Sequence, residues 1–246
     1  MFGLPSWFDV TTSDPAKTIG FYNQMFDWTA APAGVRDFGK YILFHQDGRP
    51  VAGLVERASD TPQPNGWLTY LSVEDLDVTI DGARSNGGSL QRPGVAVPGV
   101  GELAVLTDPV DSSIGLVRAE AGLERASGVG TPVWTEIETV DWPVTFDFMT
   151  KTFALRTETQ SDTPGSRFAT MHDEEHPRGG IFELGSDVRH SRWEVAFLVP
   201  DAQQGVDRAV ELGASIVRPV YDVPVGTGFG ARLADPSGAH FNLIAF

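Results

Sequence analysis

The most constraining feature of this 246-residue sequence is an internal repeat, with an offset of 127 positions between "WFDVTTSD" at Trp7 and "WTEIETVD" at Trp134. The same offset aligns further identical residues, namely Thr12 with Thr139, Asp14 with Asp141, Phe21 with Phe148, His45 with His172 and Gly53 with Gly180. One deleted residue makes the offset 126 from Trp67 and Trp193 onward, and one insertion restores it at the Asp-Pro pairs 108 and 235. A register kept over roughly a hundred residues indicates duplicated units that bury surface against one another. We predict a first module at 1–120, a linker at 121–131 and a second module at 132–246.

Each copy divides again into two similar halves. "WFDVTTSD" is typical of a strand, after which Asp14 is placed to cap a helix that begins at Pro15. "YILFHQDGRPVAGL" predicts two strands around an Asp-Gly turn. A second round starts at "WLTYLSVEDLD", with Asp75 before the helix, and ends in the strands "ELAVLTDP" and "SIGLVRAE". The pattern predicts an α+β fold with β-α-β-β twice in each copy, plus one or two short strands that the sequence does not locate.

The composition limits the classes of function. With 33 acidic and 18 basic residues the formal net charge is −15, so the average surface repels phosphate backbones and we expect no nucleic-acid partner. The absence of cysteine leaves His, Asp and Glu for any metal site. No apolar run approaches the ~20 residues of a membrane helix, and no signal-peptide pattern opens the chain. We expect a cytoplasmic protein without membrane contact, and a monomer, because the duplication pairs the modules internally.

The order of the motifs carries a family resemblance. "FY" on a helix that ends in "FDW", the strand ends "VEDLD" and "VPD", and the terminal "DPSGAHFNL" occur in an order that is used twice. This order resembles the vicinal oxygen chelate superfamily, which includes glyoxalase I, bleomycin-resistance proteins, fosfomycin-resistance enzymes and extradiol dioxygenases. The resemblance implies tandem modules, each of two paired βαβββ units that form an eight-stranded cup around a small molecule.

The resemblance also locates the positions where metal-using relatives place their ligands. These positions are Trp7, Leu68 and Gly115 in the first module, and Trp134, Glu194 and Asn242 in the second. A catalytic divalent ion needs about three donor side chains, whereas indole, leucine and glycine donate none. Only Glu194 is an anionic candidate. We therefore expect no metal ligand set and no cofactor.

The alternation of side chains along strands predicts what else lines the cups. The expected lining of the second cup is Trp134, Glu136, Glu138, Glu194, His240 and Asn242, with Phe229 of "VPVGTGFG" as a gate. The expected lining of the first cup is plainer and comprises Trp7, Asp9, Tyr70 and Ser113. For the carboxylates the alternative is a bond to backbone or a solvent-facing position, and for the tryptophans it is to fill cups that bind nothing.

Three functions remain open from the sequence. The favoured hypothesis is a metal-independent lyase, isomerase or hydrolase of secondary or antibiotic metabolism, with Glu136 or Glu194 as the base and His240 as the acid. The second is a non-catalytic protein, similar to bleomycin-resistance proteins, that sequesters an aromatic or cationic compound through hydrogen bonds and cation-π contacts. The third is a scaffold or regulator whose cups are filled by tryptophan side chains.

Overall fold

The structure, a computed structural model, describes residues 2–34, 41–57, 64–185, 188–223 and 227–246, which form 16 strands and four helices. The first motif comprises β1 (Pro5–Thr12), α1 (Pro15–Phe26), β2 (Thr29–Pro32), β3 (Tyr41–Gln46) and β4 (Arg49–Glu56). The second motif comprises β5 (Gly66–Ser72), α2 (Leu76–Ser85), β6 (Ser89–Val97), β7 (Gly101–Thr107) and β8 (Ser113–Ala119). These two βαβββ motifs make up the first copy of the repeat.

The second copy contains the same elements in the same order. The third motif comprises β9 (Pro132–Thr139), α3 (Trp142–Phe153), β10 (Arg156–Ser161), β11 (Phe168–His172) and β12 (Pro177–Glu183). The fourth comprises β13 (Arg192–Leu198), α4 (Ala202–Glu211), β14 (Ser215–Asp222), β15 (Phe229–Ala234) and β16 (His240–Ala245). The predicted α+β class with four helix-containing repeats is confirmed. No helix within the described residues combines the length and apolar character that a bilayer crossing requires.

Local side-chain chemistry sets the helix starts. One aspartate precedes each helix and accepts a hydrogen bond from a backbone N–H in the first turn, at Asp14, Asp75, Asp141 and Asp201. The predicted Asp-Gly hairpin is also present, because Asp47 and Gly48 have positive φ values of 50° and 75° between β3 and β4.

Each motif forms a four-stranded mixed sheet of one design. The first strand pairs parallel with the last, as in β1 with β4 and β13 with β16, and the remaining neighbours are antiparallel. The outermost strands, β2, β6, β10 and β14, are those whose positions the sequence did not locate. One face of each sheet packs on a helix, while the opposite face carries the residues that the alternation assigned to the cups.

The chain folds into two compact units, and each takes one motif from each copy of the repeat. Unit 1 comprises the chain up to Trp7, Leu68–Leu123 and Thr135–Trp193, and thus the second and third motifs. Unit 2 comprises Phe8–Trp67, Glu124–Trp134 and Glu194–Phe246, and thus the first and fourth motifs. The limits 1–120 and 132–246 follow the sequence repeat, and they stay a prediction about domains that fold independently.

Each unit has its own apolar core under its two helices. In unit 2, the aromatic side chains of α1, including Tyr22 and Phe26, pack with Phe197 of β13 and Phe241 of β16. In unit 1, α2 and α3 cover a core whose members include Leu71, Leu106, Ile137, Met149 and Ile181. These cores fix which face of each sheet remains for function.

Candidate functional site

Four polar side chains share the face of the fourth motif that points away from the core of unit 2. Glu194 lies on β13, Arg232 on β15, and His240 and Asn242 on β16. Asn242 is paired with Arg232 across the β15–β16 hairpin and with Ala196 on β13. Because Glu194 is two residues before Ala196, it projects from the same face. We call Glu194, Arg232, His240 and Asn242 the polar quartet.

The quartet is built around the carboxylate of Glu194, which is fully buried. Its Oε2 accepts a hydrogen bond from Asn242 Nδ2 at 3.5 Å and lies 3.7 Å from Arg232 Nε, while Oε1 lies 3.6 Å from His240 Nδ1. These separations exceed the ~2.8 Å of a tight charge-assisted hydrogen bond. The carboxylate therefore lies in the field of a guanidinium and an imidazole.

Two members of the quartet also reach solvent. The side chain of Arg232 is 20% exposed and that of His240 is 36% exposed, against 0% for Glu194. His240 Nδ1 is itself buried and makes no hydrogen bond within the part of the chain that the structure describes. A buried ring nitrogen is rarely left without a partner, and the carboxylate oxygen that faces this one, Glu194 Oε1, lies 3.6 Å away.

The first copy carries none of these side chains at the equivalent positions. The offsets of the repeat put Leu68 in place of Glu194, Val105 in place of Arg232, and Ser113 and Gly115 in place of His240 and Asn242. The registers agree, because Gly115 is paired with Val105 and with Tyr70, as Asn242 is paired with Arg232 and Ala196.

Tyr70, a predicted ligand-binding residue, fills this face of the second motif. The side chain is fully buried, and a Cβ atom at Gly115 would lie 2.4 Å from its Cγ. Ala196 stands at the position of Tyr70 in the fourth motif. The first copy thus has the Tyr70 ring over Gly115, whereas the second copy has Ala196 beside the amide of Asn242.

The predicted lining of the first motif is also buried. Trp7 and Asp9 are both fully buried, and the Tyr41 hydroxyl donates a 2.5 Å hydrogen bond to Asp9 Oδ1. The third motif has Glu136 at the position of Asp9 and Phe168 at that of Tyr41. Glu136 is half-buried, and the ring opposite it carries no hydroxyl.

The remaining predicted residues of the second copy are distributed over both units. Glu138 of unit 1 is buried, and Arg192 Nη2 lies 2.6 Å from its Oε2. Trp134 of unit 2 is half-buried, and Phe229 is 53% exposed at the start of β15. Residues 224–226, within the segment "VPVGTGFG" that carries the predicted gate, lie outside the described residues. Of the predicted site residues, the structure brings Glu194, His240 and Asn242 together, and it adds Arg232, which the sequence analysis missed.

The residues at the family's ligand positions do not fit a metal ion. Trp7 is a buried indole, and the space beside Gly115 is taken by Tyr70. Glu194 is next to the permanent positive charge of Arg232, which opposes a cation at that carboxylate. Among the residues that the structure describes, no group of three or more His, Asp or Glu side chains is placed to hold a metal.

The Asp-Pro motif near the end of each copy has a structural role. Asp235 Oδ1 accepts hydrogen bonds from the Ser237 N–H and hydroxyl and from the Ala239 N–H, which closes the turn between β15 and β16. Asp108 closes the equivalent turn and accepts a 2.6 Å hydrogen bond from Thr145. Burial raises the pKa of the Asp235 carboxyl. These turns set the register that places Arg232 opposite Asn242.

Comparison with known proteins identifies the family. Residues 5–111 match the model of the Glyoxalase/Bleomycin resistance protein/Dioxygenase superfamily, and residues 134–244 match that of the Glyoxalase-like domain. The anthracycline biosynthesis protein DnrV of Streptomyces peucetius is 31% identical over 98% of this chain and 93% of its own length. The putative glyoxylase CFP32 of Mycobacterium tuberculosis is 26% identical over 98% and 94% of the two chains.

Solved structures show the same fold at low identity. The Mn(II)-bound glyoxalase from Novosphingobium aromaticivorans gives a TM-score of 0.70 at 16% identity, over 99% of this chain and 82% of that one. The 2,3-dioxygenase LapB from Pseudomonas sp. KL28 gives 0.72 at 13% identity, over 100% and 93% of the two chains. Together with the family models, these matches confirm the resemblance predicted from the motifs: the chain is a tandem glyoxalase-like protein and belongs to the Glyoxalase/Bleomycin resistance protein/Dioxygenase superfamily.

Proposed function

We propose that the polar quartet binds a small organic molecule and transfers a proton on it without a metal ion. The observation that carries the proposal is the difference between the copies, because the second motif keeps the same fold and register without any of the four side chains. Burying a carboxylate beside a guanidinium costs desolvation free energy that the fold does not require. Such a cost indicates a function for the quartet.

The geometry gives each member a chemical role. The carboxylate of Glu194 takes a proton from a carbon or hydroxyl of the ligand, and the electron pair released moves toward a neighbouring carbonyl oxygen. Arg232, which stays protonated, stabilises the negative charge that develops on that oxygen. His240 is partly exposed and returns a proton. In an isomerisation the proton goes to a second carbon, and in an elimination it goes to the oxygen that departs as its bond to carbon breaks. Asn242 orients the carboxylate. Glu136, the other base predicted from the sequence, stays a prediction.

The name of one relative supports a proposal for the substrate class. DnrV, at 31% identity over nearly the whole chain, is named for anthracycline biosynthesis. We propose that this protein acts in secondary metabolism on a planar, polycyclic aromatic compound of the anthracycline kind. Such a ligand offers carbonyl and hydroxyl groups to Arg232 and His240.

Solvent exchange tests the proposal. The protein is incubated in D₂O with an anthracycline aglycone that has exchangeable hydrogens next to a carbonyl, and deuterium uptake is followed by mass spectrometry. We expect uptake that survives treatment with EDTA, that is lost in Glu194→Gln and that falls in His240→Asn. Ser113→Ala, at the position of His240 in the first copy, is the matched control and leaves the rate unchanged. Uptake that EDTA abolishes, or that Glu194→Gln retains, contradicts the proposal, and binding without uptake supports the sequestering alternative.

A further inference from the structure

An irregularity in β14 brings a tyrosine onto the face of the polar quartet. Arg218 is paired with Arg232 and Tyr221 with Gly230, so three steps along β14 match two steps along β15. Such a β-bulge re-aims side chains, and bulges are frequent beside functional sites. Since Gly230 and Arg232 are two residues apart on β15, both positions share one face of the strand. The bulge therefore places the side chains of Arg218 and Tyr221 on that same face of the β14–β15 hairpin.

Tyr221 is packed between a glycine and an arginine. A Cβ atom at Gly230 would lie 2.9 Å from Tyr221 Cζ and 3.1 Å from its hydroxyl, so only glycine leaves room for the phenol end of the ring. The Arg218 guanidinium stacks over the ring, with its Cζ 3.7 Å from the ring centroid. These contacts hold the Tyr221 hydroxyl on β15, about 7 Å along the strand from the backbone of Arg232.

The first copy has the same bulge without the tyrosine. There, Arg92 is paired with Val105 and Val95 with Leu103, which are the equivalents of the Arg218 and Tyr221 pairs. The exchange of Val95 and Leu103 for Tyr221 and Gly230 is therefore found only beside the polar quartet. The bulge does not itself require tyrosine and glycine at these positions, because it forms in both copies.

Two arginines stand on this face. Among the described residues of the fourth motif, the face carries Arg218 and Arg232 together with the carboxylate of Glu194, in a protein of net charge −15. Within the described part of the chain, Arg218 is exposed and has no carboxylate within ion-pair distance. A guanidinium over a ring keeps its N–H groups in its own plane, where they can bind an oxyanion. The cationic ligand considered from the sequence stays a competing prediction.

We propose that the ligand is an aromatic acid, whose carboxylate is bound by Arg218 and the Tyr221 hydroxyl while its reacting end lies at Glu194. The inference rests on the proposed function for the location of the site, and it adds the charge of the ligand. Arg218 and Tyr221 act as specificity-determining residues. They select an anion over a neutral molecule of the same shape.

Two probes that differ only in charge test the inference. Anthraquinone-2-carboxylate and anthraquinone-2-carboxamide are titrated by calorimetry into the wild type at low and high ionic strength. We expect the carboxylate to bind roughly tenfold more tightly than the amide, with the difference shrinking at high salt. Arg218→Gln removes most of the preference, and Tyr221→Phe, which deletes one oxygen and leaves the ring in place, weakens carboxylate binding severalfold. Arg92→Gln, the matched control from the first copy, retains the preference.

The outcomes separate this inference from the proposed function. Equal affinities for the two probes, or a preference that Arg218→Gln keeps and Arg92→Gln loses, overturn the anion selectivity and leave proton transfer at Glu194 intact. A carboxylate preference without deuterium uptake contradicts proton transfer alone. Binding of neither probe overturns both.

Discussion

The second and fourth motifs share one backbone arrangement but carry different side chains on the face that points away from the core. Both have a β-bulge, an Asp-Pro turn and the same strand pairings, yet the second motif presents Leu68, Val105, Ser113 and Gly115 where the fourth presents the polar quartet. In the second motif a tyrosine ring fills the space above glycine. The difference teaches that the fold tolerates either filling, which is why we assign the charged one to the proposed binding site.

The first and third motifs differ in the same direction. Asp9 is buried and bound by the Tyr41 hydroxyl, while Glu136 is half-buried opposite Phe168. In the first copy, a tyrosine hydroxyl of the same motif binds one oxygen of the acid. The second copy has Phe168 in place of the tyrosine and the longer acid Glu136 in place of aspartate.

The largest predicted effect is on the filled face of the second motif. Gly115→Ala places a methyl group 2.4 Å from Tyr70 Cγ and 2.9 Å from the Thr69 carbonyl oxygen. We expect the free energy of unfolding to fall by about 3 kcal/mol, measured by chemical denaturation. In a Tyr70→Ala background the same change costs less, because the ring is gone. Equal costs in both backgrounds show that Tyr70 does not fill this space.

The next effect concerns the ion pair of the fourth motif. Arg232→Met leaves the buried carboxylate of Glu194 without its guanidinium, and we expect a loss of about 2 kcal/mol in the free energy of unfolding. The matched change, Val105→Met in the first copy, creates no uncompensated charge and loses less. A thermal and chemical denaturation series in which Arg232→Met matches the wild type contradicts the pairing.

A smaller effect distinguishes the first and third motifs. Tyr41→Phe removes the hydrogen bond to buried Asp9, and we expect a loss of about 1–2 kcal/mol. Phe168→Tyr, the reciprocal change in the third motif, is expected to shift the free energy of unfolding by less than about 0.5 kcal/mol. Equal losses in the two variants remove the distinction between these motifs.

The smallest effect is a dependence on pH in the turn after β11. Backbone N–H groups of His176 and Glu175, with Arg178, lower the pKa of Asp173, whereas the first copy has Gln46 at this position. A lowered folded pKa gives stability that is present above the unfolded value and is lost as the pH falls below about 4. We therefore expect Asp173→Asn to flatten the decrease in melting temperature between pH 5 and 3. A decrease as steep as in the wild type contradicts this role.

The parts of the fold that the sequence predicts are local ones. Aspartate caps, the Asp-Gly hairpin and the period-two strands depend on neighbouring residues, and all are present. The outer strands were not located, because β6 and β14 are mostly exposed and carry no alternating apolar pattern. The first and fourth motifs combine in one unit through tertiary packing of their helices. The offset between the repeats carries no information about that packing.

The site was predicted in part for a similar reason. Alternation along β13 and β16 placed Glu194, His240 and Asn242 on one face, and their proximity follows from strand pairing. Arg232 could not be predicted in this way, because it lies outside the family's ligand positions and its place depends on the register of the β15–β16 hairpin. The replacement of Val105 by arginine between the copies was a signal that could have found it.

The most direct test of the account gives the fourth motif the residues of the second. In Glu194→Leu/Arg232→Val both charges are removed together, so neither is left buried without the other. Calorimetric titration with anthraquinone-2-carboxylate is predicted to show an affinity at least about thirtyfold below that of the wild type, at unchanged or higher stability. Wild-type affinity in this variant would contradict the claim that the second copy carries the binding site.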